Sequence, residues 1–177
     1  MPDLLAHYTV SILIASRVAS LRLSAIIGFI GLLPDIDALI GFHRWITHSI
    51  IVVLAISIPL VALSLAISRR FLKILLLSLI LVITHIVLDM LTSPTPVLWP
   101  LVSSYISVEL KINGVLDGSS IGVYPVLAVN SMQVEPLVYP VEGPIVSEFG
   151  VATLVVLILI LAIEYSMRIK LFRGIWI

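Results

Sequence analysis

The chain has 177 residues, 60% hydrophobic and 11% charged, and a mean hydropathy of +1.24; a water-soluble domain is nearer about 45–50% apolar and roughly 25% charged, so this is a membrane protein. Ten Lys and Arg balance ten Asp and Glu, which removes the basic surplus expected of a nucleic-acid-binding chain. The absence of cysteine excludes a disulfide framework, a Cys-type zinc site and thiol catalysis; any metal must be held by His and carboxylate.

The first residues carry Asp3 and no basic cluster, so a cleavable signal peptide is not expected. Residues 4–33 are apolar but interrupted by Arg17 and Arg22, and one straight helix would strand both arginines in lipid. Two shorter helices, 4–18 and 21–33, turning at Ala19-Ser20, avoid this; each is about 20 Å long at ~1.5 Å per residue, short for a span and suited to a re-entrant pair. Residues 49–68, 71–91 and 150–167 are each long enough to cross a hydrocarbon core that takes about 20 helical residues. Only Arg69-Arg70 separates the first two, which predicts a tight hairpin, with Pro59 kinking its first arm.

Residues 92–149 hold seven of the ten prolines and no apolar run of span length, an extramembrane or interfacial insert. Within it Ile106, Val108, Leu110 and Ile112 alternate with Ser107, Glu109 and Lys111 before Asn113-Gly114, the pattern of a strand ending in a type I′ turn. Residues 123–129 and 134–141 are further candidate strands, and Glu109, Lys111 and Asp117 read as a solvated strand face. The expected fold is mainly α and polytopic: two helical hairpins plus a C-terminal transmembrane helix, with a small antiparallel β insert on the outer side. Residues 1–91 would carry the hairpins and the site, 92–149 the insert, and 150–177 the last helix and a basic tail.

Five segments alternating in direction put Arg17 and Arg22, then Arg69, Arg70 and Lys73, then Arg168, Lys170 and Arg173 on one side, eight of the ten basic residues. The positive-inside rule makes that side the cytoplasm. Arg44 and Lys111 lie opposite with most of the acidic residues, Trp45 and Trp99 fall at the outer interface, and Trp176 falls at the inner one. The expectation is an integral plasma- or inner-membrane protein with a cytoplasmic C-terminus. Glu164, inside the last span, is expected to snorkel inward.

All four histidines gather on the outer side. Reflected about Arg69-Arg70, His48 comes level with Asp89; reflected about Ala19-Ser20, His7 meets the Pro34-Asp35-Ile36-Asp37 loop. His85 and Asp89, four apart, share a helix face. His7, Asp35, Asp37, His43, His48, His85 and Asp89 therefore form one expected cluster, and ionisable groups at membrane depth are functional candidates. Asp35, Asp37, His48, His85 and Asp89 are the foremost metal ligands, with His7 and His43 next. Seven donors exceed the needs of one ion, so two divalent ions are expected, zinc first and Mn or Fe compatible with the same donors. Such a pair would activate water for hydrolysis of a phosphoester. Arg44 is the candidate anion-binding residue and, with His43, the candidate catalytic pair. Thr47 and Ser49 flank His48 and can cap the following helix, and Asp3 can orient His7 from outside the ligand shell. Structural alternatives stand beside these roles: Asp3 as a helix cap, Arg44 neutralising Asp35 or Asp37, His43 as a loop residue, and His85–Asp89 as a hydrogen-bonded helix lock.

The succession of His7, Leu32-Leu33-Pro34-Asp35-Ile36-Asp37, His43-Arg44-Trp45-Ile46-Thr47-His48-Ser49, His85-Ile86-Val87-Leu88-Asp89-Met90-Leu91-Thr92-Ser93 and Leu98-Trp99-Pro100-Leu101 resembles the YdjM family over roughly the first 110 residues. The resemblance implies an inner-membrane-associated, metal-dependent hydrolase whose polar positions are the seven cluster residues. After Thr92-Ser93 the family usually has a small turn with glycine, where this chain has Pro94-Thr95-Pro96, and residues 118–149 carry no motif that can be placed. The His/Asp complement also looks like that of zinc-dependent phospholipases C, a chemical analogy. A lipid or lipid-linked substrate follows from the depth of the site, with no nucleic-acid partner. Two other classes fit the same residues: a non-catalytic structural or regulatory metal protein, and an ion- or proton-coupled transporter. The transporter is disfavoured by a peripheral cluster and the lack of inverted repeats.

Overall fold

The computed structural model describes residues 3–40, 44–118, 120–133 and 144–167. Its elements are α1 (Leu4–Ala15), α2 (Leu21–Gly28), a 3₁₀ run (Phe29–Ile40), a 3₁₀ turn (Ile46–His48), α3 (Ile50–Ile67), α4 (Arg69–Thr92), β1 (Ser104–Asp117), β2 (Ser120–Gln133) and α5 (Glu148–Ser166). The protein is mainly helical, and α3, α4 and α5 are long and apolar enough to cross a membrane. Their side chains are mostly exposed, as expected of helices whose solvent is lipid.

The α3–α4 hairpin folds as its sequence dictates. Ser49 caps α3, its hydroxyl accepting from the Val52 N–H at 3.3 Å, and Ser68 caps α4 directly before the two arginines. Pro59 sits inside α3, a position that membrane helices tolerate.

With 12 residues, α1 is too short to span alone. It is instead the helix around which the others pack, touching α2, α4, α5 and the 3₁₀ run. Its buried residues include the polar His7, Thr9 and Ser11, the reverse of a lipid-facing helix. Polar contacts hold α5 to it: the Thr9 hydroxyl donates to Thr153 Oγ1 at 2.9 Å, and Arg17 pairs with Glu164. Glu164 lies away from the His/Asp cluster, and its carboxylate meets the Arg17 guanidinium just past the end of α1. That pairing resolves the cost of Arg17 near the apolar run. Ala15, Ile27, Leu77 and Leu81 form the apolar core between α1, α2 and α4.

The second N-terminal segment differs from a helix running to residue 33. Regular α geometry ends at Gly28, and a 3₁₀ run of 12 residues follows, although such runs seldom exceed 3–4 residues. Pro34, within it, can donate no α-helical hydrogen bond. Close approach to α1 is permitted by Gly31: a Cβ there would overlap the Ser11 hydroxyl and lie 2.9 Å from Ser11 Cβ.

β1 and β2 form a two-stranded antiparallel ribbon. Asn113-Gly114 does not turn the chain: Asn113 pairs with Tyr124 and Gly114 with Val123, and the reversal comes where Asp117 faces Ser120. Carrying the ladder past Asn113-Gly114 as far as Asp117 lets residues 115–117 pair as well, whereas a turn at 113–114 would forfeit those bonds. The candidate strand 123–129 lies within β2; 134–141 lies outside the described residues. Glu109 and Lys111 are exposed and ion-paired at 2.6 Å, as a solvated face requires.

Candidate metal centre

Three elements deliver the site. The first is the 3₁₀ run, in which burial follows its period of three: Gly31, Pro34 and Asp37 are buried, while Leu33, Ile36 and Leu39 are exposed. Three residues per turn align every third side chain, so Asp37 falls on the inward row, Asp35 on the half-buried row beside it, and an apolar row faces outward. The second is the stretch from Arg44 to Ser49. Arg44 adopts φ 58°, a left-handed conformation uncommon for a side chain of its bulk, and its buried guanidinium reaches α4. The third is α4, which presents His85 and Asp89 from consecutive turns.

Asp89 is the hub. Its Oδ2 lies 3.0 Å from His48 Nε2 and 3.5 Å from His85 Nε2. Its Oδ1 accepts from Arg44 at 2.8 Å and lies 3.4 Å from His7 Nε2. Asp35 Oδ1 closes the group at 3.6 Å from His48 Nε2 and 3.4 Å from His85 Nε2. One donor atom from each of Asp35, His48, His85 and Asp89 lies within 4.8 Å of all the others.

These distances test whether the residues suit an ion. Most exceed an ordinary N–H···O hydrogen bond of about 2.7–3.2 Å. An ion about 2.0–2.1 Å from four tetrahedral donors would hold them roughly 3.4 Å apart, inside the observed 3.0–3.6 Å range. His85 Nε2 and Asp89 Oδ2 are buried without a hydrogen bond, a costly state that coordination would relieve. The donor set fits a divalent cation.

Around the four donors lies a supporting layer. Asp37 Oδ2 approaches His48 Nδ1 at 3.3 Å and accepts from the Thr47 hydroxyl at 2.6 Å and the Trp45 N–H at 3.2 Å. A carboxylate on the far nitrogen of a ligating histidine fixes its ring and tautomer. The His7 ring stacks on His85 with centroids 3.8 Å apart, and Arg44 also bonds Ser93. Burial alone would lower the pKa of His48, but the carboxylates of Asp35, Asp37 and Asp89 outweigh it and push it up to about 10. Burial acts to raise Asp35, yet His48 and His85 hold its carboxyl well below the usual range.

The structure thus brings together His7, Asp35, Asp37, Arg44, His48, His85 and Asp89, with Thr47 in the supporting layer. His43 lies outside the described residues, as do residues 168–177 with their basic groups and Trp176. Asp3 stands apart: it caps α1, accepting from the Ala6 N–H at 2.6 Å, and its other oxygen takes the Ser147 N–H. It therefore ties α1 to the start of α5 and does not orient His7, whose Nδ1 has no hydrogen bond. Asp37 sits behind His48, outside the four-donor group, and Arg44 spends its charge on Asp89. Ser49 serves the α3 cap and donates to the Trp99 carbonyl. Trp45 and Trp99 meet edge to face at 5.9 Å. Sequence reasoning missed Ser93, although its spacing of four from Asp89 places it one turn along the same face. It also missed Tyr105, whose phenol is pushed up by burial and by the charge of Asp37; no local pattern links it to the site.

Fold and site together define a polytopic helical membrane protein with a buried His/Asp cluster able to hold a metal ion. The chain matches the family described as YdjM inner membrane protein over residues 3–171, nearly its whole length. It belongs to that family. No curated protein and no solved structure matches it.

Proposed function

We propose that the protein is a membrane-bound metal-dependent hydrolase that cleaves a phosphoester in a lipid or lipid-linked substrate. The observation carrying this reading is the four-donor group and its uneven exposure. The side chains of His48, His85 and Asp89 are at most 2% exposed, whereas Asp35 is 16% exposed. Four protein donors would close a tetrahedral shell, but Asp35 stands at the exposed edge, where substrate or water could displace it or add as a fifth ligand, so that His48, His85 and Asp89 keep the ion and one position opens, as catalytic sites with about three protein ligands require. Asp35 adjoins Ile36 on the outward apolar row, so the open edge borders lipid.

A divalent ion supplies Lewis acidity and an activated water. The chain's own residues set that chemistry up: Asp37 and Thr47 fix the His48 ring, His7 packs against His85, and Arg44 holds Asp89. One ion suffices in this reading, where seven donors in the sequence suggested two. Beside His7, the Asp89 Oδ1 that a second ion would need already accepts from Arg44 at 2.8 Å, and a guanidinium there repels another cation. Zinc suits two imidazoles and two carboxylates, and manganese or iron would also bind.

Hydrolysis of diacyl and polyisoprenyl phosphoesters by the purified protein is expected to vanish with chelator and return with added Zn or Mn. Full metal occupancy without turnover on any of them would support the second reading, an ion that clamps the chain. That reading has its own observation, since the donors come from three separate stretches of sequence.

The site is proposed to face the extracytoplasmic side, supported by Arg17, Arg22, Arg69, Arg70 and Lys73 at the opposite hairpin tips. An impermeant thiol reagent on intact cells should label Asp117→Cys and spare Arg70→Cys until lysis. The reverse pattern would invert the topology.

A further inference from the structure

The ribbon carries an apolar face that no described element covers. In its register Val108 faces Val129, Leu110 faces Leu127, Ile112 faces Pro125 and Leu116 faces Ile121. Strand alternation puts all of these on one side, while the other is mixed, carrying Glu109, Lys111, Asn113 and Asp117 together with Val115, Tyr124, Val126 and Ala128. An antiparallel sheet normally buries its more apolar side on a core. Here Leu116 and Ile121 are 81% and 82% exposed, and the ribbon packs on α4.

We propose that this face lies flat on the lipid surface of the membrane that α3, α4 and α5 cross. The roots of the ribbon support this occupant. Leu101, just before β1, is 78% exposed, and Ile145, just before α5, is 70% exposed, so the apolar surface continues from the ribbon into the lipid-facing helices. Deeper insertion is disfavoured by the backbone: among the described residues the ribbon's edges are unpaired beyond the Thr95–Ile106 bridge at its root, and hydrocarbon cannot satisfy such edges whereas headgroups and water can. At 14 residues per strand and ~3.3 Å per residue the ribbon reaches about 46 Å. Laid flat, it buries its apolar side chains at the headgroup boundary as an interfacial amphipathic helix does; standing upright, it would leave them in water. A second copy stacked on this face would shield it from water and lipid alike, an outcome the quenching test separates from lipid contact. The inference is independent of the hydrolase reading.

The chain contains no cysteine, so a single introduced thiol can carry an environment-sensitive fluorophore without background. Full-length Leu127→Cys and Asn130→Cys are labelled in phosphatidylcholine/phosphatidylglycerol vesicles. Quenching by a lipid-borne nitroxide near the headgroup should be several-fold stronger at position 127, and quenching by aqueous iodide several-fold stronger at 130. Ile121→Cys, near the tip, repeats the test should position 127 disturb the ribbon. Equal iodide quenching at all three positions would mean that the ribbon stands in water. Shielding of 121 and 127 from both quenchers would mean that protein covers the face; either result overturns the proposal.

Discussion

Purified in detergent, the protein is expected to carry one divalent ion per chain, and an Asp89→Asn/His48→Ala variant none, by elemental analysis. Asp89 contributes more than a ligand atom. Its Oδ2 faces His48 and His85, and its Oδ1 faces His7 and Arg44, so the amide removes the charge that three imidazoles and a guanidinium share. Asp37→Asn should act more mildly: it leaves the four donors in place and loosens the His48 ring, weakening the ion about 10–100-fold. Acid should strip the metal. A ligating imidazole must be neutral, whereas the metal-free protein keeps His48 protonated up to about pH 10, so each ion displaces that proton and affinity rises with pH up to that value. The contribution of the His48 charge to the metal-free fold has the opposite dependence. A pKa raised above the ordinary value of 6.5 stabilises the fold fully below pH 6.5, and that contribution is lost as pH climbs through about 10. Two ions per chain in the unaltered protein would refute the assignment of Arg44 as the second cation.

Gly31→Val is expected to lower Tm by roughly 5 °C or more and to reduce metal content in the same preparation. The branched side chain would have to occupy space held by the hydroxyl and Cβ of Ser11, and overpacking of this kind costs about 1–3 kcal/mol. Contacts between small residues let membrane helices approach closely; here the approach sets the position of the 3₁₀ run, and with it Asp35. Gly31→Ala, which adds only the clashing Cβ, should show a smaller loss of both, and Ser11→Gly in that background should restore them. Unchanged Tm and metal content in Gly31→Val would show that the run is placed by something other than its contact with α1.

The sequence shows the α3–α4 hairpin plainly, because two apolar runs flank a pair of arginines and counting outward from them sets His48 level with Asp89. The helical spacing of His85 and Asp89 is equally direct. The second N-terminal segment is harder: periods of 3.6 and 3.0 diverge by little over one or two turns, and Pro34 alone hints at the change. Asp37 consequently read as a ligand, since only the tighter period carries it behind His48. The backbone of Arg44 has no sequence signal, and its partner depends on that backbone. Glu164 and Arg17 are 147 residues apart, a pairing that span prediction cannot see. In the insert, Asn113-Gly114 is a local turn signal, but the residues that pair beyond it carry the reversal past Asp117.

The threefold period of the Phe29–Ile40 run makes this segment sensitive to length in a way that differs from its sensitivity to substitution. Removing one residue between Gly31 and Asp35 would rotate everything downstream by about 120°, carrying the Ile36 position onto the half-buried row beside the ion and sending the acidic residues to new sides. Removing three would restore the rotation but draw the carboxylates along the axis by about 6 Å, roughly 2 Å per residue, further than the 3.6 Å that separates Asp35 from His48. Neither change is tolerable for the site, so the spacing from Gly31 to Asp37 works as a fixed-length ruler between the surface of α1 and the metal.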